Sequence, residues 1–197
     1  WQRPGLSDTD RSQLLGLEEA NTVEREITFE TLDCLLGEHA PFLVSLSDGP
    51  DNELRIIISP ASVGEVGSSN VDPADSVLHG ILSKCHPINP DKREQYEIHF
   101  ENYIIYQNRN ESWATYFPEE TRCGTFLITF EKSRLLDSLC EITDVIRSDN
   151  GTWYPGMWKH YGIYTQNHVI DVISHCPPVV TRCSQHNLTQ IAHSFWE

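Results

Sequence analysis

Nine histidines, six cysteines and 29 acidic residues give this 197-residue chain material for acid–base, nucleophilic or metal chemistry. Spacing must select among them. The densest group lies in the C-terminal half, where His160, His168 and Asp171 share the stretch HYGIYTQNHVID; Glu101 would join them from an earlier segment. Around one cleft they would suit a small His- or Cys-dependent hydrolase or a metal-dependent enzyme, with imidazole as base and carboxylate as its partner. Cys123, directly before Gly124, is the thiol to weigh as nucleophile, with His160 or His168 as base. On an ideal strand His168 and Asp171 fall on opposite faces, which argues against a simple dyad between them.

A metal site is the next arrangement to weigh. Cys183 and His186 are spaced to grip one ion, Cys176 could return through Pro177-Pro178, and His193 would be a fourth ligand. Structural zinc sites use tighter paired spacings, so a Cys176–Cys183 disulfide or two free thiols ranks ahead. The expectation is no cofactor, with zinc as the alternative. His99-Phe100-Glu101 matches only half of the zinc deaminase signature, since no PCxxC follows. Strand alternation explains that pair equally well. There is no GxGxxG, phosphate-binding P-loop, GxSxG or HExxH.

One polar cluster resists explanation as core. Residues 101–113 (ENYIIYQNRNESW) gather Glu101, Tyr103, Tyr106, Arg109, Glu111 and Trp113. An amphipathic strand ending in a turn accounts for them. So does a recognition edge, because Tyr, Trp and Arg dominate interface energetics.

These residues need elements to place them. Residues 1–8 read as a flexible tail and 9–197 as a single domain with a mobile loop near 60–75. Residues 9–20 suggest a short helix, 22–29 a half-buried strand, and 30–37 a helix with Leu32, Leu35 and Leu36 on one face. Residues 42–47 and 53–59 form a hairpin across the turn 48–52. A helix over 74–84 follows. In 95–107, Tyr96, Ile98 and Phe100 face one way until the phase breaks near Asn102-Tyr103, a bulge or a step between sheets. Strand 125–130 runs into Ser133, an N-cap for a helix through Leu135, Leu136, Leu139 and Ile142. Residues 160–174 read as two strands, or one bent at Gln166-Asn167. The sum is an α+β fold, a mostly antiparallel sheet with three or four short helices.

Charge bounds the partners. The net charge is -15, and the excess is uneven: residues 1–75 hold 15 acids against 4 bases. Such a field disfavours nucleic acid and anionic membranes and favours a basic protein. No apolar run approaches the ~20 residues that span a bilayer. Six cysteines and three N-x-S/T sites, at Asn110, Asn150 and Asn187, would suit secretion; their density is too low to require it. Cys34 and Cys140 sit in apolar surroundings and read as buried thiols. The chain begins at Trp1, and a leader removed before it would leave no trace.

The blocks YEIHFENYIIYQNRNES (96–112), EKSRLLDSL (131–139) and KHYGIYTQNHVIDVIS (159–174) resemble a family of small, uncharacterised bacterial proteins. The resemblance covers about residues 95–178 and implies a cytoplasmic, bacterial setting with reduced thiols; it implies no mechanism. Two functional expectations follow. The first is an acidic, non-enzymatic binding protein, such as an immunity or inhibitor-like domain docking on a basic partner. The second is the small hydrolase or metal-dependent enzyme built from the C-terminal half.

Overall fold

The computed structural model describes residues 27–65, 85–154 and 156–183. The N-terminal tail, the expected helices at 9–20 and 74–84, most of the loop 60–75, and His186 and His193 lie outside the described residues. Helix α1 (Phe29–Leu35) starts at Thr28, whose hydroxyl caps the Thr31 amide. The expected strand 22–29 is corrected at this end: Thr28 is an N-cap and Phe29 is already helical. Phe29, Leu32 and Leu36 are buried while Leu35 is 55 % exposed. The inward stripe is therefore 29, 32, 36, the i, i+3, i+7 helical spacing.

Strands β1 (Phe42–Asp48) and β2 (Leu54–Ser59) pair as the expected hairpin. Its turn contains Asp51 and Asn52 at positive φ, which Asp and Asn tolerate best among side-chain-bearing residues. Strand β3 (Ala61–Val63) pairs with β4 (Ile88–Pro90), so the start of the supposed loop is extended structure. Strand β5 (Tyr96–Phe100) alternates as read, with Tyr96, Ile98 and Phe100 buried. The phase break after it is a step between sheets. β5 lies in a four-stranded sheet, and β6 (Ile105–Asn110) in a five-stranded one.

The rest of the chain completes both sheets. Strands β7 (Thr121–Cys123) and β8 (Leu127–Lys132) lead into helix α2 (Arg134–Ile142). A small ribbon of β9 (Ile146–Arg147) and β10 (Trp153–Tyr154) follows. Strands β11 (Lys159–Tyr164) and β12 (His168–Ser174) form a hairpin, and β13 (Val179–Arg182) returns to the first sheet. The orders are β1-β2-β5-β13 and β6-β12-β11-β8-β7, and every pairing is antiparallel. Two α-helices stand among the described residues, fewer than the three or four expected.

Strand β12 explains the layering. All its residues after His168 are buried. Ile170 and Val172 face a core shared with Ile56, Ile58, Ile98, Phe100 and α1. Ile173, of opposite parity, packs under Leu136 and Leu139 of α2. A strand sandwiched between two apolar layers reads as a continuous apolar run, VIDVI, broken only by one aspartate.

Helix α1 is tied to the second sheet by Asp33. Its carboxylate accepts the amides of Thr125 (2.8 Å), Phe126 (2.8 Å) and Leu127 (2.7 Å). Gly124, at φ +110, makes this loop feasible, because a Cβ there would sit 2.1 Å from the Leu127 carbonyl oxygen. Asp33→Ala strands three amides and should cost about 3 kcal/mol. That is about 6–12 °C in thermal midpoint, read by circular dichroism; Asp33→Asn, keeping one acceptor oxygen, should lose about half as much.

Candidate functional site

The antiparallel register places one set of side chains on the α2 face of the five-stranded sheet. Asp171 lies opposite Gln107 on β6 and Gly162 on β11. His160 lies opposite Ile173 and Phe130. Cross-strand partners share a face, so Gln107, Arg109, Phe130, His160 and Asp171 converge below the start of α2. Gly162 leaves a gap among them: a Cβ there would meet the rings of Phe130 and Tyr164 at 3.1 Å each.

Asp171, 1 % exposed, accepts three bonds: from Arg109 Nη2 at 2.7 Å, Gln107 Nε2 at 2.9 Å and His160 Nε2 at 3.0 Å. Burial alone would raise its pKa. The His160 bond and charge, then the charge of Arg109 and the Gln107 bond, outweigh that and hold the carboxyl below the ordinary aspartate range. Asp171 is therefore ionised at neutral pH, and an ionised carboxylate only accepts. His160 Nε2 must then carry a proton.

His160 Nδ1 lies 2.8 Å from Ser133 Oγ. Ser133 is the N-cap of α2, and its oxygen accepts the Leu136 amide at 3.1 Å. In the neutral imidazole the Ser133 hydroxyl donates to Nδ1; in the imidazolium Nδ1 donates to Oγ. The Phe130 ring stacks on the imidazole at 4.1 Å and 6°, which fixes its plane. Ser133, His160 and Asp171 thus form an unbroken hydrogen-bonded chain. Relative to the usual serine hydrolase triad the imidazole is reversed, with the acid on Nε2 and the hydroxyl on Nδ1.

A cleft of about 330 Å³ opens beside this chain, lined by His160, Asp171, Gln107, Arg109, Tyr164, Arg134, Leu135 and Phe117 among others. Arg134 stacks over Phe117 at 3.7 Å and pairs with Glu119. Glu120 takes the Arg134 backbone amide at 3.0 Å. The Leu135 amide, the next donor at the helix start, has no partner among the described residues. Burial, then the Asp171 charge, pushes the Tyr164 hydroxyl up to about 12, so it stays protonated.

Of the catalytic candidates, the structure brings His160 and Asp171 together and leaves two elsewhere. His168 begins β12 opposite Asn110, its backbone bound to Thr165, and its parity is opposite to that of Asp171. Glu101 is exposed in the step between sheets. Cys123 lines a different cavity with Cys34 and no histidine, and the side chain bonded to His160 Nδ1 is the Ser133 hydroxyl. Ser133 was legible as a cap; nothing in the sequence marks its distance to His160.

The binding cluster also divides. Tyr103 and Tyr106 bond the two oxygens of Asp48 at 2.9 and 3.0 Å and pack on the main core. Arg109 belongs to the cleft. Glu111 and Trp113 form an exposed turn, Trp113 being 84 % exposed. Cys34 and Cys140 are exposed, not buried, because they lie on the outer faces of their helices. Cys176 and Cys183 are both unpaired, and no group of three or more His, Cys, Asp or Glu suited to a metal occurs among the described residues.

Asp171→Asn should cost about 3 kcal/mol at pH 7 by leaving Arg109 without its buried counter-charge. The folded pKa of Asp171 is below its unfolded value of about 3.9. Its contribution is therefore present above about pH 4 and is lost as pH falls through the folded value. Urea unfolding at pH 7 and at pH 2.5 should show the gap between wild type and Asp171→Asn closing in acid. Compared with known family models, characterised proteins and solved structures, the chain matches none.

Proposed function

We propose that the chain is a small hydrolase acting by acyl transfer, with Ser133 as nucleophile, His160 as base and Asp171 as the group that orients it. The observation that carries this reading is the unbroken chain Ser133 Oγ, His160 Nδ1 (2.8 Å), His160 Nε2, Asp171 Oδ1 (3.0 Å), beside a cleft. Substrate would enter that cleft, which His160 and Leu135 line, and would have to reach Ser133, which is 1 % exposed and bonded to His160 outside that lining.

His160 Nδ1 takes the Ser133 proton as Oγ bonds to the substrate carbonyl carbon, and the carbonyl electrons move onto oxygen. The free Leu135 amide, at the positive end of α2, would receive that oxyanion. Asp171 balances the imidazolium through Nε2. Collapse expels the leaving group with the proton from Nδ1. Water, deprotonated by the same nitrogen, then releases the acid and restores Ser133. Gln107 and Arg109 act at one remove as positioning residues, keeping Asp171 ionised and aimed.

The test is p-nitrophenyl acetate hydrolysis, with a fluorophosphonate probe and peptide mass mapping. Probe mass on Ser133, and a loss of at least about 10³-fold in turnover in Ser133→Ala and His160→Gln with folding retained, is the expected result. If folded wild type is neither labelled nor active, or if Ser133→Ala costs only a cap, about 1 kcal/mol, the three residues are a clamp holding α2 to the sheet and the reading fails.

A second reading is favoured by the charge of -15. As an acidic module docking on a basic protein, the chain would bind a partner whose affinity falls steeply with salt, since exposed charge is screened within about 10 Å at 0.1 M. Its acids concentrate in residues 1–75, away from the cleft in sequence, so the two readings are separable by experiment.

A further inference from the structure

Two donors in the cleft are left over once the Ser133, His160 and Asp171 chain is satisfied. Tyr164 ends β11 opposite Val169, and Val169 lies opposite Arg109 on β6, so the three make one row across the sheet. Cross-strand partners share a face, and Val169, 1 % exposed, is too short to rise between its neighbours. Arg109 and Tyr164 therefore stand as two walls of a slot, and both line the cleft. The next row holds Asp171 and Gly162, whose missing side chain keeps the slot open toward His160.

Both walls keep an unused donor. Arg109 gives Nη2 to Asp171. Its Nη1 and the Tyr164 hydroxyl have no partner among the described residues, and both keep accessible surface, unlike the sealed Arg109 Nε. The Asp171 side chain is 2 % exposed and that of Arg109 35 %, so the half of their ion pair that meets the cleft is the cation. Arg122 and Arg109 both bring positive charge to the Tyr164 hydroxyl, against the one carboxylate charge of Asp171. Glu120 is the other acid in the lining; its Oε1 is held by the Arg134 amide, and Arg134 adds a further guanidinium. A guanidinium edge and a protonated phenol both donate, so together they call for an anionic acceptor.

We infer that the slot between Arg109 and Tyr164 binds a carboxylate carried by the acyl part of the substrate, which makes the substrates monoesters of dicarboxylic acids. The carboxylate accepts from Arg109 Nη1 and from the Tyr164 hydroxyl, and its carbon chain runs past Gly162 toward His160 and Ser133. His160 and Tyr164 are four residues apart on β11, about 13 Å along a strand, so several methylenes separate the carboxylate from the scissile carbonyl. The acyl assignment rests on the hydrolase reading; the carboxylate slot stands on its own geometry.

Titration of the intact wild-type chain with hexanoate, against neutral hexanamide, tests the slot by ¹H–¹⁵N NMR. Saturable hexanoate binding that shifts the Arg109 Nε–H and Val169 amide signals is expected, with hexanamide about tenfold weaker. Tyr164→Phe, which keeps the ring and removes the donor, should weaken hexanoate about fivefold and narrow that preference. The kinetic arm compares mono-p-nitrophenyl suberate with its neutral methyl ester. The ratio of their kcat/KM values should favour the acid in wild type and fall about fivefold in Tyr164→Phe, whereas a merely structural role would lower both substrates alike. Equal affinity for hexanoate and hexanamide, no saturation by hexanoate, or a preference untouched by Tyr164→Phe would overturn the inference. Hydrolysis of both esters at equal kcat/KM would overturn it and leave the hydrolase reading standing. Selective hexanoate binding with neither ester hydrolysed would support the slot and sink the hydrolase reading alone.

Discussion

A carboxylate buried in the middle of a central strand is the constraint around which this structure is arranged. Asp171 sits on β12, with both faces of its strand covered, where an unmatched charge would cost several kcal/mol. Three donors resolve the problem, and they come from the two neighbouring strands: β6 supplies Gln107 and Arg109, β11 supplies His160. His160 in turn needs a partner for Nδ1, and that partner is the cap of α2. Satisfying one aspartate therefore fixes the register of two strand pairs and the height of a helix. Strand register alone is specified by which face is apolar. Here a polar side chain within the apolar run adds a second condition, since slipping β6 by one residue would carry Gln107 and Arg109 to the opposite face.

Much of this was legible locally. The β1-β2 hairpin, the alternation of Tyr96, Ile98 and Phe100, the Ser133 cap and the paired strands at 160–174 follow from two-residue periodicity, turn residues and capping chemistry, all short-range signals. The three blocks singled out by resemblance carry Gln107, Arg109, Ser133, His160 and Asp171, every member of the site chain. Their convergence was not legible. Ser133 and His160 are 27 positions apart, Arg109 and Asp171 62, and only the order of strands in the sheet brings them within 3 Å. His168 stays out of the site because its parity on the strand is opposite to that of Asp171, as alternation alone indicates, and Glu101 because it falls in the step between the two sheets. Cys34, Cys140 and Leu35 misled differently. Apolar neighbours in sequence do not bury a residue that lies on the outer side of its helix.

The reversed imidazole bears on the proposed chemistry. A ring holding its acid through Nε2 presents Nδ1, the nitrogen next to the ring's attachment carbon, to the hydroxyl. Nδ1 therefore reaches less far from β11 than Nε2 would, and the nucleophile must come to the sheet. It does so because Ser133 is the residue that joins β8 directly to α2, one position beyond the strand's end. The flat stack of Phe130 on His160 fixes the plane in which the ring presents its two nitrogens. Strand, cap and stacked ring together impose the geometry.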